Sequence, residues 1–397
     1  MKSLGELCEF IVDCEHKTAP IQEDGIPSIR TPNIGRGYFI LDGVNRVSDA
    51  TYDAWTRRAI PEPGDLILAR EAPVGNVAVI PDDLKCCLGQ RTVLIRPKRK
   101  DIDADYLCYL LLTPALQADL LGKSGGATVH HLNLKDIRAL PISDLPELDK
   151  QRAQASVIKN YDDLIETNRR RIALLEESAR LLYREWFVNL RFPGHEQAKV
   201  IDGFPGGWRQ KTVDEMASFL SRGITPKYDE AAPGMVINQK CIRDGRLNLA
   251  LARHQSKEVK ADRLVQVGDI LINSTGAGTL GRVAQVRAPI PDCTVDTHVT
   301  IVRPLDVDCA GFLGVALLEM ESVLSTMGVG STNQLELGRA NIGAMCLSVP
   351  TGVLCKEFHD LVWPIFDQVE TLSQTNSRLA QVRDELLPKL MSGEIQV

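Results

Sequence analysis

The longest regular pattern of apolar and polar positions runs from Glu147 to Val188, a stretch without proline or glycine. Ile158, Tyr161, Ile165, Ile172, Leu175, Ala179 and Leu182 recur at three- and four-residue steps, with Asn168 as the polar exception. This spacing predicts one helix carrying a coiled-coil stripe, in which a single polar residue can fix register. Pro146 suits a first turn, Glu147 and Asp149 favour the positive end of the helix dipole, and Pro193-Gly194 stops the run. At about 1.5 Å per residue the helix is roughly 60 Å long, too long for the core of one small domain. A second stripe comprises Ile365, Val369, Leu372, Leu379, Leu386 and Leu390, again with an asparagine, Asn376, in the seam. Pro364 marks an expected kink near its start and Pro388 a tightened final turn. The stripes fit either two separate surface helices or one helix pair. Two equal units in tandem favour an antiparallel pair.

The chain is written twice. Gly64-Asp65-Leu66-Ile67-Leu68 returns as Gly268-Asp269-Ile270-Leu271-Ile272, an offset of 204 residues. VLIRPK (93–98) returns as VTIVRPL (299–305), and GGATVHHLNLKDIRALPIS (125–143) is echoed by GVGSTNQLELGRANIGAMCLSV (328–349). Each copy ends in a proline, Pro146 or Pro350, followed by a long helical pattern. The shift stays between 204 and 207 residues throughout, which predicts two copies of one unit: a mixed domain, then a long helix. Within the first copy, SIRTPNIGRGYFIL (28–41) reads as short strands around Asn33, Gly35 and Gly37, and Asp105 to Leu121 as a buried helix pair broken at Pro114.

The repeat decides a competing motif. Gly276, Gly278 and Gly281 spell G-x-G-x-x-G after an apolar strand, the pattern of a dinucleotide-binding crossover. The first copy keeps only Gly75 of these, and Pro289 and Pro291 leave little room for the helix the crossover needs. Asp296 falls 20 positions after Gly276 with no helix between them. The glycines are expected in a hairpin or loop beside a strand, and a dinucleotide enzyme is disfavoured.

The chain has 397 residues, 44% of them hydrophobic and 25% charged, which suits a soluble protein with a full core. There is no apolar leader and no run long enough to span a bilayer, so a cytoplasmic location is expected. The ten cysteines are scattered without a C-x-x-C pair, which supports neither a zinc site nor a redox motif. His130-His131 has no carboxylate or cysteine at ligand spacing, and no metal site is expected. The net charge of −6 argues against nonspecific nucleic-acid binding but leaves room for local basic patches.

Several segments carry a family resemblance: DCEHKTAP (13–20), SRGITPK (221–227), the two GD-led strands, FPGGW (204–208), LYREWFVNLRFPGHE (182–196) and LLPKLMSGEI (386–395). With the tandem plan, they make the whole chain resemble the specificity subunit of Type I restriction–modification systems. The resemblance implies an α+β protein of two mixed globular target recognition domains, each followed by a long helix, the helices pairing as an antiparallel coiled coil. The domains would span 1–145 and 193–350 (with a linker at 193–207), and the spacer helices 146–192 and 351–397. It implies a non-catalytic, sequence-specific DNA-binding protein recognising a bipartite target in double-stranded DNA. Its partners would be DNA adenine methyltransferase subunits, two in number, and ATP-dependent motor–endonuclease subunits. S-adenosylmethionine, ATP and Mg would sit on those partners, and this chain would hold no cofactor. The sequence has no N/D-P-P-Y/F motif and no phosphate-loop lysine motif.

Beside these motifs, side chains able to contact DNA fall in turn-rich segments. In the first copy they are Lys17, Thr18, Arg30, Asn33, Arg36, Tyr38, Arg70 and Arg91. In the second they are Arg222, Thr225, Lys227, Asn238, Lys240, Arg243, Ser274 and Arg282. Residues 1–145 carry 17 Lys and Arg against 20 Asp and Glu, so basic groups must cluster on one face or partners must supply affinity. A coiled-coil adaptor that binds only proteins is the rival reading. It has no reason to place basic groups at the same position in both domains.

Overall fold

The computed structural model describes residues 2–397 apart from 125–130, 144, 202 and 331–334, so His130 lies outside the described residues. The chain forms two compact units, Met1–Asn168 with Thr375–Val397, and Arg169–Gln374. The long helices, Leu148–Tyr183 and Gly352–Met391, are each divided between the units near their middle. The second helix runs unbroken through Pro364 and Pro388.

Both units have the same topology. In the first, a four-stranded antiparallel sheet has the order Cys8–Asp13, Thr92–Pro97, Leu66–Ala69, Val77–Val79. In the second the order is Ala217–Arg222, Val299–Pro304, Ile270–Asn273, Val283–Gln285. A three-stranded sheet accompanies each: Arg46–Val47, Ile26–Ile29 and Cys87–Leu88 in one, Arg253–Gln255, Gly234–Ile237 and Cys293–Val295 in the other. The small entry helices repeat too, with Ser3 and Glu6 forming one reciprocal capping box and Thr212 and Glu215 its counterpart.

The GD-led strands are uninterrupted apolar runs because they are buried on both faces. Leu66 and Leu68 point to a cluster with Tyr106, Leu107 and the helices, while Ile67 and Ala69 point to a second cluster with Ile29, Ile34 and Leu88. Ile270 and Ile272, against Leu271, divide in the same way. The aspartate of the motif is structural. Asp65 is fully buried and accepts two hydrogen bonds from Arg96, at 2.8 and 2.7 Å, and one from the Glu62 backbone. Asp269 repeats this with Arg303, at 2.8 and 2.9 Å, and with the Gln266 backbone. A fork of this kind satisfies a buried carboxylate fully, and losing either member costs about 3–5 kcal/mol. Gly64 and Gly268 sit at φ +83° and +95°, where the turn into the strand needs a residue without Cβ.

The helix-closing motifs are core pieces. Tyr183, Trp186 and Phe187 enter the second unit's core, where Phe187 meets Phe312 and Phe358 with ring centroids 4.8 and 4.9 Å apart. Trp208 of the FPGGW motif packs on Phe192 at 5.6 Å. Leu387 and Leu390 at the end of the second helix are buried in the first unit's core beside Ala155 and Ile158.

Within each unit the two helix segments run antiparallel. In the first, Gln154 donates to the Leu390 carbonyl, Arg383 bonds Asp162 at 2.6 Å, and Asn168 faces Asn376. In the second, Ile172 and Leu175 pack with Val369 and Leu372. Of the expected stripe, Ile158, Ile165, Ile172, Val369, Leu372 and Leu390 are buried, while Tyr161, Leu175, Leu182, Leu379 and Leu386 are half-buried. Phe366 and Leu387, one position beyond the expected Ile365 and Leu386, are the deeper residues. The second helix also packs on its globular domains, and that contact turns the buried face off a strict heptad. The first helix is held by polar contacts as well as apolar ones. Burial pushes the Asp162 carboxyl up, opposed by Arg383, and Glu176 binds Arg287 at 3.3 Å and also Arg246.

Candidate nucleic-acid interface

The antiparallel registers give each four-stranded sheet two distinct ends. The buried Asp–Arg fork occupies one, since Leu66 pairs with Ile95 and Ile270 with Val302. At the opposite end Ala69 pairs with Thr92, and Asn273 with Val299. There the chain leaves strand Cys8–Asp13, leaves Leu66–Ala69 and enters Thr92–Pro97, so three loops converge. The parallel pairing of Ile29 with Leu88 brings the Arg30 segment alongside, and that of Ile237 with Val295 does the same for Asn238.

In the first unit this end carries a compact polar network. Glu71 lies 2.8 Å from Arg91 and 2.7 Å from His131 Nδ1. Arg70 donates to Asp13 at 2.5 Å, to the Leu132 carbonyl at 2.7 Å and to His131 Nε2 at 2.7 Å. With Nε2 accepting, Nδ1 carries the proton and donates it to Glu71. Gln90 donates to the Thr18 hydroxyl at 3.2 Å. In the second unit, His298 Nδ1 is 2.6 Å from the Thr275 hydroxyl, and Thr275 is bridged to Glu336 through the backbone. Arg222 pairs with Glu336 and donates to the Leu337 carbonyl at 2.9 Å. Lys257 donates to the Thr225 carbonyl at 3.0 Å, and Arg263 to that of Arg222 at 3.1 Å.

This geometry sets two polar, loop-built ends of matching construction in one chain. A family model of the Type I restriction modification DNA specificity domain matches residues 1–177. The chain is 25% identical over 374 residues to the MjaIX specificity subunit of a Type I restriction enzyme from Methanocaldococcus jannaschii, covering 90% of this chain and 84% of that one. It is 22% identical to the HindI specificity subunit from Haemophilus influenzae, over 92% of this chain and 94% of that one. The crystal structure of a Type I S subunit from M. genitalium shares its fold, with a TM-score of 0.62 at 16% identity, over 98% of this chain and 95% of that one. Its first 177 residues thus match the Type I specificity domain, and most of its length is similar to Type I specificity subunits.

The sixteen side chains expected to meet DNA divide by their surroundings. Lys17, Arg30, Lys227 and Lys240 are exposed and, among the described residues, have no ion-pair partner. Thr18 and Thr225 are exposed beside them. Arg91 is exposed but tied to Glu71, and Arg222 is held by Glu336. Arg70 is only 5% exposed and spends its donors inside the domain. Ser274 is fully buried against Thr300 at 2.6 Å. These two correct the expectation, because neither can reach a ligand without dismantling its own loop. Asn33 and Asn238 cap tight turns, donating to the Ile40 and Leu251 carbonyls, and Arg282 donates to the Gly278 carbonyl. Arg36 and Arg243 are exposed, and Tyr38 lies under Gly35. The turns that carry Arg36 and Arg243 come against the long helices: Gly37 approaches Asp162, and Gly245 approaches Arg180.

His131 belongs to a contact that sequence spacing does not show. It has a carboxylate partner, Glu71, 60 positions away in sequence, which local spacing had no means of showing. Glu71, Gln90, Thr275, His298 and Glu336 were likewise missed. Their one signal was position, next to the repeated strands. The glycines of G-x-G-x-x-G form the turn of the antiparallel hairpin between Ile270–Asn273 and Val283–Gln285, as the repeat implied.

Proposed function

We propose that this chain is the DNA-sequence specificity subunit of a Type I restriction–modification complex, each unit reading one half of a bipartite site in double-stranded DNA. One observation carries the reading. Two units of one topology present loop clusters at the same end of the same sheet, each with exposed lysine or arginine beside directional polar groups. Lysine and arginine on phosphates set position, and donors and acceptors on base edges carry sequence. The chain itself is non-catalytic. It assembles with other subunits of its system, two DNA adenine methyltransferase subunits docked along the helices and ATP-dependent motor–endonuclease subunits. S-adenosylmethionine, ATP and Mg belong to those subunits, and the complex acts in the cytoplasm.

The test is modified-base sequencing of host DNA with and without the gene, its methyltransferase partner present in both. A bipartite motif of two short half-sites with an unspecified spacer should carry methyladenine only when the gene is present. An unchanged methylation pattern would overturn the reading.

A further inference from the structure

The two copies can be compared position by position through their registers. Asp13 pairs across to Val93 as Arg222 does to Thr300, and the Arg70 amide donates to the Arg91 carbonyl as Ser274 does to His298. The Leu132 amide donates to the Arg70 carbonyl, and that of Leu337 to Ser274. Glu71 therefore corresponds to Thr275, Arg91 to His298 and His131 to Glu336. At the far end of the sheet the copies keep their chemistry, with the Asp65–Arg96 fork repeated as Asp269–Arg303. At the loop end the backbone hydrogen bonds are kept while every one of these side chains changes type.

Two copies that read the same sequence would have no reason to differ here. A fork of donors at one copy and an imidazole at the other are different readers on one frame. Arg91 presents two parallel donors, suited to the two acceptors of guanine in the major groove. His298 offers a single ring nitrogen beyond the one engaged by Thr275. Glu71 and Thr275 do not need to touch DNA, since each holds its neighbour in place from beneath: the Glu71 side chain is 16% exposed and that of Arg91 61%.

We propose that Arg91, positioned by Glu71, and His298, positioned by Thr275, are the residues at which the two units diverge in base specificity. This rests on the DNA-reading role proposed above. The experiment uses the assembled methyltransferase with full-length chain and maps methyladenine on a randomised-site plasmid pool. Arg91→Lys keeps the charge and removes the fork. It should relax one base position of one half-site by about tenfold or more, leaving the other half-site and the spacer as in the wild type. His298→Ala should relax the other half-site only. The paired exchange Glu71→Thr with Arg91→His should move the first half-site's preference toward that of the second. Lower methylation with both half-sites unchanged for Arg91→Lys would make Arg91 a phosphate contact and overturn the proposal. So would both variants altering the same half-site. Failure of the DNA-reading role itself would appear separately, as a wild-type complex without any bipartite motif.

Discussion

Asn168 donates its side-chain amide to Asn376 Oδ1 at 2.9 Å, and Asn376 donates in turn to the Ile165 carbonyl at 3.2 Å. The two seam asparagines thus join the helix segments of the first unit, Asn168 being its last residue on one helix and Asn376 its second on the other. A buried polar pair inside an apolar stripe admits one register, because any slide leaves both amides unpaired. Asn168→Leu should lower stability by about 1–3 kcal/mol, since it strands the Asn376 acceptor. The double replacement of both asparagines by Leu should recover most of that loss. Urea unfolding of the wild type, both single variants and the double variant checks this. Additive losses in the double variant would show that the amides act independently.

Acid sensitivity should come partly from the second unit. Nδ1 of His359 accepts the Gly311 amide at 3.2 Å, and its ring stacks on Trp363 with centroids 4.7 Å apart. Burial holds its pKa below the ordinary 6.5, so the folded state favours the neutral ring. A depressed histidine contributes stability that is present above the unfolded value, near pH 6.5, and lost as pH falls toward the folded value. His359→Gln should flatten the fall in melting temperature below pH 6.5 and leave the neutral range little changed. An acid limb of unaltered slope in the variant would assign the sensitivity elsewhere.

Phosphate binding should belong to the unpaired cations. Replacing Lys17 with Arg30, or Lys227 with Lys240, by Ala should weaken binding of the assembled complex to DNA of any sequence. For every phosphate that a variant no longer neutralises, the slope of log affinity against log salt should fall by about 0.9. Titrations at several salt concentrations measure this directly. A slope identical to the wild type in both pairs would move the phosphate-binding role to other residues or to the partner subunits.

Spacing should follow helix length. Seven residues inserted after Asn168, with seven more after Gln374, keep each unit's own helix pairing and the phase of the stripe. Two added turns lengthen the helices by about 10 Å. The spacer between half-sites should grow by up to roughly three base pairs at about 3.4 Å each, and both half-site sequences should stay as they are. Mapped methylation motifs give the answer. Altered half-sites with an unaltered spacer would show that the helices themselves read sequence.

Legibility divided along the range of the interactions. The long helices, the tandem copies and the hairpin at Gly276–Gly281 were readable because helix period, repetition and glycine punctuation are properties of neighbouring residues. The motif at Trp186 was readable as a family mark, but its role as a core aromatic was not, since its partner Phe358 lies more than a hundred residues away.

The sequence by itself determined the elements, the duplication and the two asparagines in their stripes. Only the tertiary structure decided that Arg70 and Ser274 are internal, that His131 has Glu71 for a partner, and that Phe366 and Leu387 outrank Ile365 and Leu386. The reason is physical. An arginine's availability depends on which carboxylates and carbonyls reach it after the strands pair, and a helix's buried face depends on everything packed against it. Strand register sets both, and that register joins residues that composition and spacing leave far apart.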